Sequence, residues 1–252
     1  MRLFGICPFA VFLAVSASYL QAATLDGSFV TTTQSTTWDL TALGTDDWEY
    51  WSTTASSFDG SPTNFKSGGN GSLSDLYAVG GGGLRGTGSS ALTDIHISYT
   101  DGSSPTSADA SLRGAFNSQL SVEGAGVGLD ITLPTTDTYE VKIFTGGYFD
   151  SSAGSVGTFT ATLDGATTYT DSSLISTVNN PKAGIVYTLL VTPDSANDVL
   201  SVSMVLSSRQ GTNGNQHTYM AAVTVSQVPE PATYALFAGL AMLGLAVYFR
   251  RR

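Results

Sequence analysis

Thr138-Tyr139-Glu140-Val141-Lys142-Ile143-Phe144 alternates polar and apolar positions, with Tyr139, Val141 and Ile143 on one face. Thr158 to Leu163 repeats the pattern, placing Thr on one face and Phe159, Ala161 and Leu163 on the other. A period of two marks a strand with one buried face. Gly184 to Thr192, Val199 to Leu206 and His217 to Ser226 also read as strands. Earlier candidates are Ser28 to Thr33, Thr36 to Leu43, Trp48 to Ser52, Leu73 to Val79, Leu92 to Thr100 and Gly128 to Leu133. Asp59-Gly60, Asp101-Gly102 and Asp164-Gly165 punctuate them as turns. No helical period separates these runs, and no internal repeat suggests a propeller or β-helix. The pattern predicts an all-β domain, an antiparallel β-sandwich of jelly-roll type. The Gly-rich stretch from Lys66 to Gly88 predicts a long surface loop or a bulged edge.

The two ends of the chain follow other rules. Arg2, the apolar run Leu3 to Ala17 and the small residues before Ala22 form the tripartite pattern of a secretory signal peptide, residues 1–22, cleaved after Ala22. At the other end, Ala232 to Phe249 carries no charge and precedes Arg250-Arg251-Arg252. Such a run, at 1.5 Å per residue, reaches roughly 27 Å and predicts a transmembrane helix over 232–249. The terminal arginines resist translocation, which would leave the middle of the chain outside the inner membrane. The predicted organisation is a signal peptide, an ectodomain over 23–227 and a C-terminal signal over 228–252.

Val228-Pro229-Glu230-Pro231, the apolar helix and the Arg cluster together resemble the PEP-CTERM sorting signal. The resemblance implies recognition by a membrane protease, exosortase, with cleavage near Pro229-Glu230-Pro231. It implies an exported protein that passes through an inner-membrane intermediate to the cell surface or the extracellular matrix. Two prolines remove backbone donors and hold the segment extended, a form a protease can read.

Composition sharpens the middle of the chain. Cys7, the only cysteine, falls in the signal peptide, so the mature protein has no disulfide, thiol nucleophile or Cys zinc site. Residues 23–228 hold six basic against nineteen acidic side chains, a formal charge of −13 that excludes nucleic acid as a partner. They also hold 32 Thr and 30 Ser, a composition of strands and turns in a secreted domain.

The order of short motifs along the ectodomain is similar to bacterial surface domains with a galactose-binding-like β-sandwich. Those motifs are Asp47-Trp48-Glu49-Tyr50-Trp51, Ser98 to Thr106, Tyr139 to Tyr148, Asp164-Gly165 and Gly214-Asn215 before Ala221 to Thr224. The resemblance implies sugar binding through loops at one end and a structural calcium. Among the residues themselves, Asp46, Asp47 and Glu49 offer hard oxygen ligands to calcium, although their spacing matches no calcium loop. Alternation puts Trp48 and Tyr50 on one face and Glu49 and Trp51 on the other. With one face in the core, Trp51 becomes an exposed ring for stacking on a glycan, with Asp101 as a polar partner. The Gly81-x-Gly83-x-x-Gly86 spelling lacks the strand and helix a dinucleotide site needs. His96 and His217 read as surface or satisfied strand histidines, and no nucleophile elbow occurs. Thr158, Thr160 and Thr162 would project from one face at about 6.7 Å spacing, too narrow a row for an ice-binding array without neighbours. No catalytic residues are assigned. The predicted function is a non-catalytic, exosortase-processed surface protein of the extracellular matrix. The alternative is a carbohydrate-binding module for extracellular polysaccharide, with a glycoside-active enzyme less favoured.

Overall fold

A computed structural model describes residues 22–32, 36–86, 95–149, 154–175, 182–212, 214–229 and 249. The predicted signal peptide before Ala22, Asp150, Glu230, Pro231, the apolar segment up to residue 248 and Arg250 to Arg252 lie outside the described residues. Ala22 is exposed, two positions ahead of the first strand.

Among the described residues the element order is β1 (Thr24–Thr31), β2 (Thr37–Asp39), α1 (Leu40–Leu43), β3 (Asp47–Tyr50), β4 (Asn64–Phe65), β5 (Tyr77–Val79), β6 (Leu84–Gly86), β7 (His96–Tyr99) and β8 (Ala108–Ser111). There follow β9 (Ala115–Asn117), β10 (Gly126–Leu133), β11 (Tyr139–Tyr148), β12 (Val156–Leu163), β13 (Thr167–Ile175), β14 (Lys182–Thr192), β15 (Asp198–Ser208) and β16 (His217–Gln227). One sheet runs β1-β14-β11-β16-β3-β4, with β9 joining β16 and β6 joining β9. A second runs β13-β12-β15-β10-β5, and a small third runs β2-β7-β8. The fold is all-β, and its two large sheets pair antiparallel as the alternation requires.

The main core fills the space between the two large sheets. Ile143, Leu189 and Val223 from one sheet meet Leu129, Phe159 and Met204 from the other. The rings of Phe159 and Tyr187 stack at 4.0 Å across the gap. Alternation is clearest in two strands of the second sheet, β12 and β15, which bury every other residue and expose the rest to some degree. The Thr row of β12 has neighbours, since Thr160 lies between Thr170 and Ser203, and Thr162 between Thr168 and Ser201. At the row's end Thr158 Oγ1 is bonded to Ser172 Oγ at 2.8 Å and to Ser207 Oγ at 2.7 Å, so these hydroxyls satisfy one another.

The eight-stranded sheet departs from a two-layer sandwich. Its outer face carries a second core, in which Trp48, Tyr50, Phe144 and Tyr219 pack under Leu40 of α1 and Ile97 and Tyr99 of β7. The small sheet and α1 form this third layer. Strand β16 is consequently buried on both sides from His217 to Val225. A strand with two covered faces reads as a near-continuous apolar run, as Tyr-Met-Ala-Ala-Val does here.

The predicted strand Thr36 to Leu43 divides at Asp39. The Asp39 carboxylate accepts from the backbone N–H of Thr41 at 3.0 Å and of Ala42 at 3.3 Å, capping the single helical turn α1. Strand β13 was not anticipated, because Thr167 to Ser173 is almost wholly polar. The Asp164-Gly165 turn before it adopts positive φ at both residues, 46° and 72°, and folds the chain back onto β12. The Gly-rich stretch from Lys66 to Gly88 contains β5 and β6 and supplies part of the lining of the site described next.

Candidate functional site: a carboxyl cleft beside an exposed ring

Strand β3 explains why the aromatic prediction fails. Trp48 and Tyr50 point into the outer core, while Trp51 points into the main core. Trp51 is fully buried, and its Nε1 donates to the carbonyl of Gly60 at 2.8 Å. It is therefore not the exposed stacking ring that alternation suggested. A third layer covers the face that a two-layer sandwich would leave in water. Removing so large a core ring would cost about 3–5 kcal/mol.

Asp101 is also committed to the fold. Its Oδ1 accepts from Trp48 Nε1 at 2.9 Å and from Thr41 Oγ1 at 2.6 Å, and its Oδ2 pairs with Lys66 Nζ. Partial burial works to raise its pKa, but the Lys66 ammonium and the Thr41 and Trp48 donors hold it below the usual carboxylate range. These contacts tie β3, α1 and the loop after β7 together, and they engage both oxygens of Asp101 within the fold.

The acidic trio separates instead of converging. Asp46 Oδ2 accepts from the backbone N–H of Gln227. Asp47 is buried, and its Oδ2 accepts from Ser72 N at 3.1 Å while Oδ1 accepts from Trp48 N at 3.0 Å. Burial nevertheless raises its pKa against these backbone donors. The Gly-rich loop exists to make that contact: a Cβ on Gly69 would lie 2.2 Å from Asp47 Oδ1. Among the described residues no three acidic, His or Cys side chains gather as a metal-holding group, Asp46, Asp47 and Glu49 included.

Glu49 differs from both. It is half-buried, and its Oε2 is sealed from solvent with no hydrogen-bond partner. Burial first, then the nearby carboxylates of Asp47 and Asp75, push its pKa up to about 8. Across the β3–β4 pair, Glu49 stands directly opposite Phe65, whose ring is 46% exposed. Residues directly opposite on antiparallel strands project to the same face. The neighbouring Asn64 anchors β4 from the other face. It is buried and donates from Nδ2 to Tyr99 Oη at 3.0 Å and to the Pro105 carbonyl at 2.9 Å. Glu49, Phe65, Pro62, Lys66 and Asp75 line an open cleft of about 380 Å³ floored by the glycines at 68, 69 and 71.

Phe65, Lys66 and Asp75 went unnoticed in the sequence. Strand β4 is two residues long, too short to show a period, and Phe65 sits alone in a Pro- and Gly-rich stretch. His217 was misread in another way. It is buried, stacked on Phe116 at 4.1 Å, with Nδ1 2.9 Å from the Asn215 carbonyl and Nε2 without a partner. Burial lowers its pKa to about 4. His96, as expected of a strand histidine, is paired, with Asp109.

No functionally curated protein matches the chain. Among solved structures it is similar to the module TmCBM61 in complex with β-1,4-galactotriose, at 9% identity and a TM-score of 0.37 over 62% of this chain and 90% of that one. It is also similar to CBM35 from Cellvibrio japonicus Abf62, at 15% identity and 0.28 over 48% and 79%. A third likeness is to the CBM51-2 and INT domains of Clostridium perfringens ZmpB, at 12% identity and 0.31 over 62% and 30%. At these scores the likenesses bear on neither the site nor its ligand. The tail is more specific. Residues 227–252 match the PEP-CTERM protein-sorting motif, which begins on the last residue of β16.

Proposed function

We propose that this is an exported, non-catalytic surface protein, processed at its C-terminal tail by an exosortase, whose sandwich binds an uncharged glycan of the extracellular matrix in the Glu49–Phe65 cleft. The matched sorting motif supports the export and processing half. In this reading residues 1–22 are removed on export, 23–227 form the displayed domain and 228–252 form the signal with its membrane helix.

One observation carries the binding half: an exposed aromatic ring stands directly across from a half-buried glutamic acid, one oxygen of which has no partner, in an open cleft. A ring offers an apolar face to the C–H side of a sugar. Glu49, protonated at neutral pH, donates a hydrogen bond to a sugar hydroxyl, and Asp75 accepts one. The cleft's own ammonium, Lys66, is already paired with Asp101. An anionic glycan would therefore meet carboxyl groups without a free cation. Asp47 is held by backbone donors and serves the fold.

A glycan array with the mature protein, with and without calcium, tests the reading. Binding to neutral glycans that survives chelation, and weakens about tenfold in Phe65→Ala, is expected. No binding on any glycan would sink the binding half, and release of reducing ends from a bound glycan would replace it with catalysis. Replacing Pro229, Glu230 and Pro231 in the native host should block processing. Unchanged gel mobility and location would refute the sorting half.

A further inference from the structure

We infer that the folded domain itself sets the upstream limit of C-terminal processing: the sheet holds the chain through Val228, and cleavage falls beyond it. This rests on the exosortase reading above and adds where the enzyme must stop and which residues position that stop.

The sorting motif has no spacer from the fold. Its first residue, Gln227, is the last residue of β16, registered opposite Tyr139 of β11. The chain around it is gripped from two sides. From the α1–β3 connection, Asp46 N donates to the Val225 carbonyl at 3.1 Å, and Asp46 Oδ2 accepts from Gln227 N. Thr45 N donates to Ser226 Oγ at 2.9 Å, and that hydroxyl donates onward to the Leu43 carbonyl at 2.8 Å. From the turn before β11, Asp137 Oδ2 accepts from Gln227 Nε2 at 2.6 Å, and the Thr138 carbonyl accepts from Val228 N at 2.7 Å. Val228 is the last residue of this register. Pro229 is exposed and has no N–H with which to continue it.

A protease needs several residues extended and free of other pairing. Freeing residues 225–228 means peeling β16 from β11 and β3 at once, in a strand buried on both faces up to Val225. A strand end tied down from two sides opens less readily than a free terminus, and opening that reaches the buried Val225 draws on the core. The product consequently keeps all of β16 and with it the whole sheet. Asp46 and Asp137 act as positioning residues for the cut, because both grip Gln227 from outside its own strand.

The test uses the full mature chain in detergent micelles, digested by a broad-specificity protease under native conditions and read by intact mass. The surviving domain should end at Val228 or later. A fragment ending at or before Gln227 in the wild type overturns the inference. In Asp46→Ala with Asp137→Ala, fragments ending at 225–227 should appear within a digestion that yields none from the wild type, as the two lost contacts make opening there about tenfold easier. No new termini in a variant that melts within a few degrees of the wild type would show that these two side chains position nothing. The native host separates this from the sorting reading. A mature chain that keeps its tail refutes processing, whereas a processed chain ending upstream of Val228 refutes only the stop.

Discussion

Asp101 and Glu49 are two carboxyl groups served by one neighbourhood, and they have opposite fates. Lys66 pairs with the first and lines the cleft beside the second. Asp101 collects an ammonium, an indole N–H and a hydroxyl, and stays ionised below the usual range. Glu49 has a sealed oxygen with no donor and two carboxylates for company, and holds its proton to about pH 8. A carboxylate with both oxygens engaged by donors of the fold belongs to the fold. Glu49, half-buried along an open cleft and with one oxygen lacking any donor, has hydrogen-bonding capacity that the fold leaves unused.

The sharpest break in the comparison is to remove Asp101. Asp101→Ala leaves Trp48 Nε1 and Thr41 Oγ1 without their acceptor and Lys66 without its counterion. The expected loss is about 3 kcal/mol in urea unfolding, since each stranded buried donor costs roughly 1–3 kcal/mol. A loss below about 0.5 kcal/mol, the size of an ordinary surface substitution, would mean that Asp101 is no knot.

The second break is a pH profile, where the two groups have opposite signs. Glu49 binds its proton more tightly folded than unfolded, so its stabilisation is full below its unfolded value of 4.5 and lost as pH rises through about 8. Asp101 is depressed in the fold, so its contribution is present above 3.8 and lost as pH falls below that. His217, also depressed, adds an earlier acid limb from 6.5 down to about 4. Between about pH 5 and 6.5 the Glu49 and His217 contributions oppose each other, so thermal melts of the wild type should be nearly flat there, decline from about pH 6.5 to 8 and level off above. Glu49→Gln should flatten that alkaline decline and leave the acid limbs in place. An alkaline decline that persists in Glu49→Gln would assign it to another group.

What the sequence could show of this depends on which faces are covered. Strands β12 and β15 bury one face, so their alternation is legible residue by residue. Strand β3 also alternates, but both of its faces pack against protein, and the period cannot tell a core from a second core. Trp51 was misplaced for that reason. The carboxylates were found as residue types and misassigned as partners, because Asp46 answers to Gln227 and Asp47 to Ser72, 181 and 25 positions away. Phe65 could not be singled out, since its meaning lies in standing opposite Glu49, 16 positions earlier in the chain. The sorting tail was legible because it is read locally, as a spelling and a length, without any long-range contact.

The smallest expected effect asks whether the two carboxyl groups are independent. Lys66→Met removes the one charged partner of Asp101 and keeps the stem that lines the cleft. Asp101 retains its bonds to Trp48 and Thr41, so the cost should be about 1 kcal/mol, well under that of Asp101→Ala. The charges that raise the Glu49 pKa are those of Asp47 and Asp75, and the Lys66 ammonium is spent on Asp101. The midpoint of the alkaline decline should then stay where it is in Lys66→Met. The stabilities of Lys66→Met and Glu49→Gln should add in the double variant within about 0.5 kcal/mol, as for sites without a shared partner. A shifted midpoint, or a larger coupling, would make the knot and the cleft a single electrostatic unit. Lys66 would then be part of the binding site, and not only a brace for Asp101.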